Sequence, residues 1–209
     1  YQMQRLARYQ AVIDQMLAAG TAYRCYCTPE DLEAMKAAQE ARGEKRLYDR
    51  TWRPAPGKVL PPIPAGVKPV IRLRAPQDGE VTIHDKVQGA VTVQNAELDD
   101  FILLRSDGTP TYMLSVVVDD NDMGVTHVIR GADLVASTDV HRLLQALLGL
   151  PTPVYRHHAL VRGSDGKRLA KRDAAASLAL LREGGVDGTA LAADLLAGRL
   201  PTGYSLEMP

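Results

Sequence analysis

Residues 107–133 read DGTPTYMLSVVVDDNDMGVTHVIRGAD, and this stretch decides the fold class. The Asp107–Gly108 pair predicts a turn, because both residues tolerate positive φ. The run Tyr112–Val118 contains three consecutive valines, which predicts a strand covered on both faces, as in a parallel sheet between helices. A second short strand is predicted over Thr126–Ile129. The stretch therefore predicts an α/β fold.

Polar groups follow both predicted strands. Asp119 and Asp120 come directly after the first strand, and Arg130, Gly131 and Asp133 end the second. Ligands of open α/β sheets bind at the carboxyl ends of strands, so we expect a site here. The alternative, that these are solvated charges at strand ends, stays open from the pattern alone.

Composition excludes several classes of protein. The chain of 209 residues carries 25 basic and 25 acidic residues, so net charge indicates no strong bulk attraction to nucleic acid. No apolar run approaches the roughly 20 residues that a membrane span requires. No secretory signal is visible and the two cysteines are one residue apart, so we expect the cytoplasm. Because the chain opens without Met and inside a helical pattern, we expect a fragment whose beginning is missing.

The segment 22–104 has an organisation of its own. We predict a strand over Ala22–Cys27, a helix capped at Thr28 that runs to Ala41, and a proline-rich surface linker over Pro54–Pro69. Four short β-rich runs follow between residues 70 and 104 and predict a small antiparallel unit. Since helical patterns flank the segment, we interpret residues 22–104 as an insertion between two halves of another domain.

Helical and basic segments follow the opening stretch. An apolar stripe predicts a helix from Ser137 or Thr138 to Gly149, and Tyr155–Arg162 predicts a strand. The basic run Lys167–Arg172 follows a Gly-Ser-Asp-Gly turn, which suits a mobile loop that contacts phosphates. Two weaker helices, 174–183 and 189–197, and a loose tail over 200–209 complete the predicted order.

Other motifs are ambiguous or absent. Cys25-x-Cys27 could supply half of a zinc site, but no further ligands pair with it, so we predict no metal. The run Lys45–Arg53 is either a loop with packed aromatics or an edge that faces RNA. The pair His157–His158 is either packed or on the surface, with a nucleotide site as the minority alternative. No G-x-x-x-x-G-K-[ST] or G-x-G-x-x-G loop occurs.

Four stretches resemble glutamyl-tRNA synthetases, which are class I aminoacyl-tRNA synthetases. They are TAYRCYCTPEDLEAMKAAQEARGEKRLYD from Thr21, ELDD at 97–100, DGTPTYMLSVVVDDNDMGVTHVIRG from Asp107, and DGKRLAKR at 165–172. The last is similar to the mobile signature loop of the class. The resemblance implies a Rossmann-like catalytic domain, interrupted by an α+β connective-peptide insertion that faces the tRNA acceptor stem.

The resemblance also implies the chemistry and its residues. Glutamate attacks the α-phosphate of ATP, which is accompanied by Mg²⁺, and then passes from the adenylate to an RNA hydroxyl. The glutamate pocket would be lined by Tyr112 and Arg130. The nucleotide would be contacted by Asp133 at the ribose, Leu160 and Val161 at the adenine, and His157 near the phosphates. Lys171 would stabilise the α-phosphate during the reaction and is the predicted catalytic group. We expect a monomer with glutamate, ATP and tRNA as partners and no membrane contact.

The resemblance implies four segments: 1–21, the end of the first half of the catalytic domain; 22–104, the insertion; 105–173, the second half; and 174–209, a short helical segment and tail.

The family's His-x-Gly-His motif is absent from residues 1–209, so we expect the chain alone to be inactive. In the signature loop Arg168 and Ala170 replace a Lys and a Ser, and Lys171 is retained. Zinc-binding relatives have Cys and His where this chain has Trp52 and Pro54, which makes zinc less expected still.

The acceptor RNA is open between two hypotheses. The long insertion favours tRNA(Glu), whereas residues after about 131 look more like glutamyl-queuosine tRNA(Asp) synthetase. A third hypothesis, from another class, is an RNA-binding remnant without activity.

Overall fold

Helices and strands alternate along the computed structural model, which describes residues 1–163, 165–169 and 178–207. The helices are α1 Leu6–Ala18, α2 Pro29–Ala41, α3 Tyr112–Asp122, α4 Thr138–Leu147, α5 Leu178–Glu183 and α6 Gly188–Leu196. The strands are β1 Ala22–Cys25, β2 Val70–Leu73, β3 Glu80–Asp85, β4 Gly89–Gln94, β5 Ile102–Leu104, β6 His127–Gly131, β7 Val154–His158, β8 Leu160–Arg162 and β9 Ser205–Glu207.

The chain forms two compact units. The first consists of Tyr1–Val128 and Ala136–Tyr155, and the second of Ile129–Val135 and Arg156–Pro209. Strands β6 and β7 each run from the first unit into the second. These units do not test the domain boundaries expected from the sequence, which stay predictions.

The first two helices form as their sequences predict. In α1, Tyr9, Ile13 and Met16 are buried at helical spacing, and the chain leaves the helix at Gly20, whose φ is +68°. In α2, the Thr28 hydroxyl accepts from the Asp31 backbone N–H while the Asp31 carboxylate accepts from the Thr28 N–H. This reciprocal capping box explains why α2 begins after Thr28.

The strands belong to three sheets. The first has the order β1-β2-β5 and is antiparallel, and the second has the order β4-β3-β7-β6. Strand β3 is antiparallel to β4 but parallel to β7, where Asp85 is the partner of Tyr155. The predicted single antiparallel unit over residues 70–104 is therefore wrong, because its strands divide between two sheets and β3 pairs with a strand far along the chain.

The predicted strand over Tyr112–Val118 is also wrong, because these residues begin helix α3. Leu114, Val117 and Val118 are buried, and their spacing of three and four residues places them on one helical face. Valine disfavours a helix only weakly, and burial of this face outweighs that preference. Asp119 and Asp120 consequently lie in the last turns of a helix and not at a strand end.

Helix α3 packs into the main hydrophobic core of the first unit, together with α1 and α4. The fully buried members of this core include Tyr9, Ile13, Leu73, Leu103, Leu114, Val140 and Leu144. The stripe predicted for α4 is confirmed at Val140, Leu143 and Leu144, and Gly149, with φ of +65°, follows the helix end. Helix α3 begins with Tyr112, the predicted site residue that belongs to the first unit.

The carboxyl-terminal predictions need two corrections. The single strand predicted over Tyr155–Arg162 is broken at Ala159 into β7 and β8. The tail predicted to be loose contains β9, which is antiparallel to β8. Both differences reflect the pairing of β8 with β9. The backbone groups of β8 find their partners in a segment more than 40 residues later in the chain, which a local sequence pattern cannot reveal. The linker over residues 54–69 has no helix or strand, as predicted.

Candidate active site

Most residues predicted to bind substrate belong to the second unit. They are Arg130, Asp133, His157, Leu160 and Val161. Arg130 is in β6, and Asp133 follows in the 3-10 turn Ala132–Ser137. Tyr112 belongs to the first unit, and Lys171 lies outside the described residues.

The contacts of Arg130 include hydrogen bonds to two acceptors of the second unit. Its Nε donates to Nε2 of His157 at 3.0 Å, and its Nη2 donates to the carbonyl oxygen of Leu134 at 3.3 Å. The His157 side chain is completely buried. Because an arginine has no acceptor atom, the His157 ring must accept through an unprotonated Nε2. The two contacts together fix the plane of the Arg130 guanidinium.

The alternation of β7 explains why His157 and His158 differ. Tyr155 and His157 are buried, whereas Arg156 and His158 are exposed, as expected where successive side chains point to opposite faces of a strand. The sequence interpretation treated the two histidines as one pair. Their positions relative to Tyr155 were the available signal that only the first would be buried.

Gly131 allows close packing beside Arg130. A Cβ atom at this position would lie 2.5 Å from Oδ1 of Asp133 and 2.8 Å from Cδ2 of Leu160. Both distances are shorter than real contacts allow, so any larger residue would displace one of these side chains. Sequence reasoning had noted Gly131 but not this reason for it. The glycine brings two predicted nucleotide-contacting residues next to the end of β6.

The Asp133 carboxylate is paired with the signature loop. Arg168 Nη1 lies 2.6 Å from Asp133 Oδ2, and about half of the Arg168 side chain is exposed. Such exposed pairs contribute little net stability, so a ligand hydroxyl can replace the guanidinium at low cost. The ribose contact that the resemblance implies for Asp133 stays a prediction.

Leu160 and Val161 lie in β8 opposite β9. Their register partners are Glu207 and Leu206, and the Val161 carbonyl also accepts from the Leu169 N–H at 3.3 Å. The backbone of Val161 therefore already holds the base of the loop. Its predicted contact with adenine stays a prediction.

The described part of the signature loop is a tight turn. The Gly163 N–H donates to the Lys167 carbonyl at 2.9 Å, and Gly166 has a φ of +72°. Glycine adopts this left-handed conformation without the strain that a side chain would cause. Ala170 and Lys171 lie outside the described residues, so the predicted role of Lys171 has no structural account here.

Tyr112 begins α3 in the first unit. Its side chain is about half exposed, with a relative accessibility of 46%, and its ring meets that of His141 edge-on at 5.6 Å. Edge-to-face packing of this kind orients an aromatic ring. Tyr112 therefore lies in a helix and not in the strand that was predicted, and its place in a glutamate pocket stays a prediction.

Asp119 has a structural role. Its carboxylate accepts from Arg5 Nε at 2.8 Å and from the Tyr9 hydroxyl at 2.8 and 2.9 Å, so it joins α3 to α1. Asp120 follows it in the helix. The solvated-charge alternative for Asp119 is replaced by an interhelical ion pair.

The two cysteines contact a tyrosine. Sγ of Cys25 lies 3.4 Å and Sγ of Cys27 3.7 Å from the hydroxyl of Tyr48. Burial, followed by the neighbouring Cys25, raises the pKa of Cys27 to about 11, so the thiolate that zinc requires is disfavoured. Trp52 is buried beside them. Among the described residues no cluster of three or more potential metal ligands occurs.

The aromatic residues of Lys45–Arg53 support the packing interpretation of that loop. Tyr48 and Trp52 are buried, and the Tyr48 hydroxyl accepts from the Trp52 N–H at 2.9 Å. Lys45 pairs with Glu97 at the surface. The aromatics are thus part of a small core and are not arranged for stacking on RNA.

The fold agrees with the catalytic domain of a class I aminoacyl-tRNA synthetase. The family described as tRNA synthetases class I (E and Q), catalytic domain, matches residues 1–197. The chain belongs to this family. No helix among the described residues is long and apolar enough to cross a membrane.

Two curated relatives illustrate the similarity. The glutamate–tRNA ligases of Aromatoleum aromaticum and Bordetella petrii are each 54% identical to this chain over 178 residues. Each match covers 85% of this chain and 38% of the relative. The chain thus spans less than two fifths of the length of these relatives.

Solved structures show the same fold. The glutamate tRNA ligase of Elizabethkingia meningosepticum, in complex with its amino acid, is 32% identical with a TM-score of 0.71, and the match covers 82% of this chain and 36% of that one. The glutamate–tRNA synthetase of Elizabethkingia anophelis gives a TM-score of 0.70 at the same identity, over 82% and 37%. The mixed α/β fold expected from the sequence is confirmed.

Proposed function

We propose that this chain is part of an enzyme that activates glutamate with ATP and transfers it to tRNA(Glu). The observation that carries the proposal is Arg130, a guanidinium held rigidly by His157 and the Leu134 carbonyl at the end of β6. A guanidinium fork suits a carboxylate, and its fixed plane selects the geometry of the partner. The names of the similar ligases support glutamate as that partner.

In the proposed reaction, the α-carboxylate of glutamate attacks the α-phosphate of ATP, and pyrophosphate leaves. The resulting glutamyl-adenylate then gives its glutamyl group to a hydroxyl of the RNA. Arg130 binds the side-chain carboxylate and so holds the nucleophile in place, and the glutamate contact of Tyr112 rests on the resemblance alone. Such a reaction depends on positioning and on stabilising negative charge.

Other residues serve the nucleotide in this proposal. Asp133 exchanges Arg168 for a ribose hydroxyl, and Leu160 and Val161 flank the adenine. Lys171 neutralises the charge that develops on the α-phosphate and on pyrophosphate. Magnesium accompanies ATP, whose phosphates supply most of its ligands. We also propose a monomer in the cytoplasm, divided at the boundaries 1–21, 22–104, 105–173 and 174–209.

The length of the matches with the curated ligases bears on which tRNA accepts glutamate. A match of 178 residues in a chain of 209 must continue beyond Gly131, the position after which the sequence looks more like the queuosine-modifying paralogue. The curated ligases therefore do not favour that alternative. We propose tRNA(Glu) as the acceptor.

Pyrophosphate exchange tests the activation step. The chain would be extended at its amino end with a glutamate–tRNA ligase segment that carries His-x-Gly-His. We expect glutamate-dependent exchange in the extended chain, and none in residues 1–209 alone. Arg130→Ala should lower kcat/KM for glutamate about 100-fold, the equivalent of losing a charge-assisted pair. Arg156→Ala, which removes an exposed arginine of β7, is the matched control. Glutamate-dependent exchange by residues 1–209 alone would contradict the expectation that this chain is incomplete.

Charging assays distinguish the hypotheses about RNA. We expect the extended chain to glutamylate tRNA(Glu) and not queuosine-modified tRNA(Asp). The opposite preference would establish the paralogue's activity. Tight tRNA binding with neither exchange nor affinity for ATP and glutamate would instead indicate an RNA-binding remnant.

A further inference from the structure

His157 packs directly against the proposed glutamate-binding group, the Arg130 guanidinium. It is completely buried, on the inward face of β7, and its Nε2 lies 3.0 Å from Nε of Arg130. The resemblance alone assigned it to the phosphates of ATP. A ring without solvent-exposed surface, and with Nε2 engaged by a cation, is poorly suited to contact them.

We propose that His157 is a positioning residue that orients the Arg130 guanidinium for the side-chain carboxylate of the substrate. This inference rests on the proposed function, since Arg130 binds glutamate only within it. An arginine has a long flexible side chain, and holding it in one geometry costs rotamer entropy. The buried acceptor, Nε2 of His157, fixes the Arg130 side chain before the substrate arrives. Less rotamer entropy is then lost on binding, so the substrate binds more tightly.

The contact also determines which edge of Arg130 meets the substrate. A guanidinium can bind a carboxylate side-on, through Nε and one Nη, or end-on, through both Nη atoms. Because Nε of Arg130 donates to His157, the side-on edge faces the protein. In the proposed arrangement the substrate carboxylate meets the end-on edge, where the two Nη atoms carry four of the five N–H donors. The Leu134 carbonyl, 3.3 Å from Nη2, keeps that edge from rotating.

The role requires a particular form of the imidazole. Nε2 must be unprotonated to accept from Arg130, so the single ring proton belongs on Nδ1. Glutamine can place a carbonyl oxygen near the position of Nε2, whereas phenylalanine fills the cavity without offering an acceptor. His157→Gln should therefore preserve the orientation of Arg130, and His157→Phe should lose it.

Nitrogen-15 NMR of residues 1–209 tests the contact without any ligand. We expect the ring of His157 to be neutral with its proton on Nδ1, and the Nε–H signal of Arg130 to be protected from exchange. That protection should disappear in His157→Phe and persist in His157→Gln. The control is His158→Gln, at the exposed neighbouring position. A ring protonated at Nε2, or an Arg130 signal unchanged in His157→Phe, would overturn the proposal.

Kinetics of the extended chain test the consequence. In pyrophosphate exchange, we expect His157→Phe to raise KM for glutamate roughly tenfold or more, the effect of one charge-assisted hydrogen bond. KM for ATP should change less than about twofold, and His157→Gln should restore most of the glutamate affinity. A larger effect on KM for ATP would assign His157 to the phosphates and refute a role through Arg130.

The NMR and exchange experiments distinguish a failure of the proposed function from a failure of the positioning role of His157. If the unmutated extended chain shows no glutamate-dependent exchange, the proposed function fails, whatever the NMR result. If exchange occurs but His157→Phe leaves KM for glutamate unchanged while thermal melting confirms folding, only the positioning role fails. His157→Gln covers the case in which the phenylalanine variant does not fold: a large rise in its KM for glutamate would contradict the proposal.

Discussion

The buried carboxylate of Asp100 shows how single residues hold the first unit together. Asp100 has no exposed surface and accepts from the Tyr23 hydroxyl at 2.6 Å and from Arg53 Nη1 at 2.9 Å. It also accepts from the Ala75 backbone N–H at 3.2 Å. One side chain thus joins β1, the loop after α2 and the end of β2. Asp100 belongs to the ELDD stretch that carries part of the family resemblance, and its visible role here is structural.

Replacing Asp100 by Asn should destabilise the protein strongly. The amide keeps the size of the side chain but leaves the Arg53 charge, which is mostly buried, without its counter-ion. Breaking a buried pair from one side costs about 3–5 kcal/mol. The measurement is the free energy of unfolding in urea, with Glu97→Gln as the control because that pair is exposed. A loss below about 1 kcal/mol would mean that the pair contributes little.

Helix α3 shows at the scale of an element how a sequence pattern can mislead. Three consecutive valines in Tyr112–Val118 favour a strand, yet the helix buries Leu114, Val117 and Val118 along one stripe. The ion pairs of Asp119 and Asp122 with α1 reinforce this choice. Local β-propensity amounts to tenths of a kcal/mol per residue, whereas each buried side chain contributes about 1.5–3 kcal/mol. Tertiary contacts therefore decided the element type.

The contact between α1 and α3 should make stability depend on acid pH. Arg8, followed by Arg5, holds the pKa of Asp122 at about 2, below its ordinary 3.8. A carboxyl with a lowered pKa stabilises the folded state fully above its unfolded pKa. Its contribution is lost as pH falls from about 4 towards 2. The first unit should therefore lose part of its unfolding free energy in this range.

Urea unfolding at pH 7, 4, 3 and 2 tests this dependence. Asp122→Asn should lower stability at pH 7 by about 1 kcal/mol, as expected for a partly exposed pair, and should flatten the change between pH 4 and 2. Asp14→Asn, which removes an exposed carboxylate of α1, should leave the slope as it is. Equal slopes in the Asp122 variant and the unmutated chain would assign the acid sensitivity to other groups.

At the scale of the whole molecule, folding should not depend on zinc. Cys25 and Cys27 pack with Tyr48 and Trp52 in a small hydrophobic core. With burial raising the pKa of Cys27 to about 11, binding zinc would require removing a tightly held proton. We expect the melting temperature of the purified chain to be unchanged after dialysis against EDTA, and Cys27→Ser to melt similarly in both buffers. A fall of more than about 5 °C with EDTA, equivalent to more than 1 kcal/mol, would contradict this.

The sequence by itself determined the family, the α/β class and helices α1, α2 and α4, and it predicted Arg130 as the glutamate-binding residue, which stays a prediction. These follow from local signals: helical spacing, capping residues and motifs whose members are close in the chain. Only the tertiary structure decided that Tyr112 begins a helix, that β3 pairs with β7, that β9 covers β8, and that His157 supports Arg130. Each of these depends on partners dozens of residues away, whose burial and hydrogen bonds outweigh local preference.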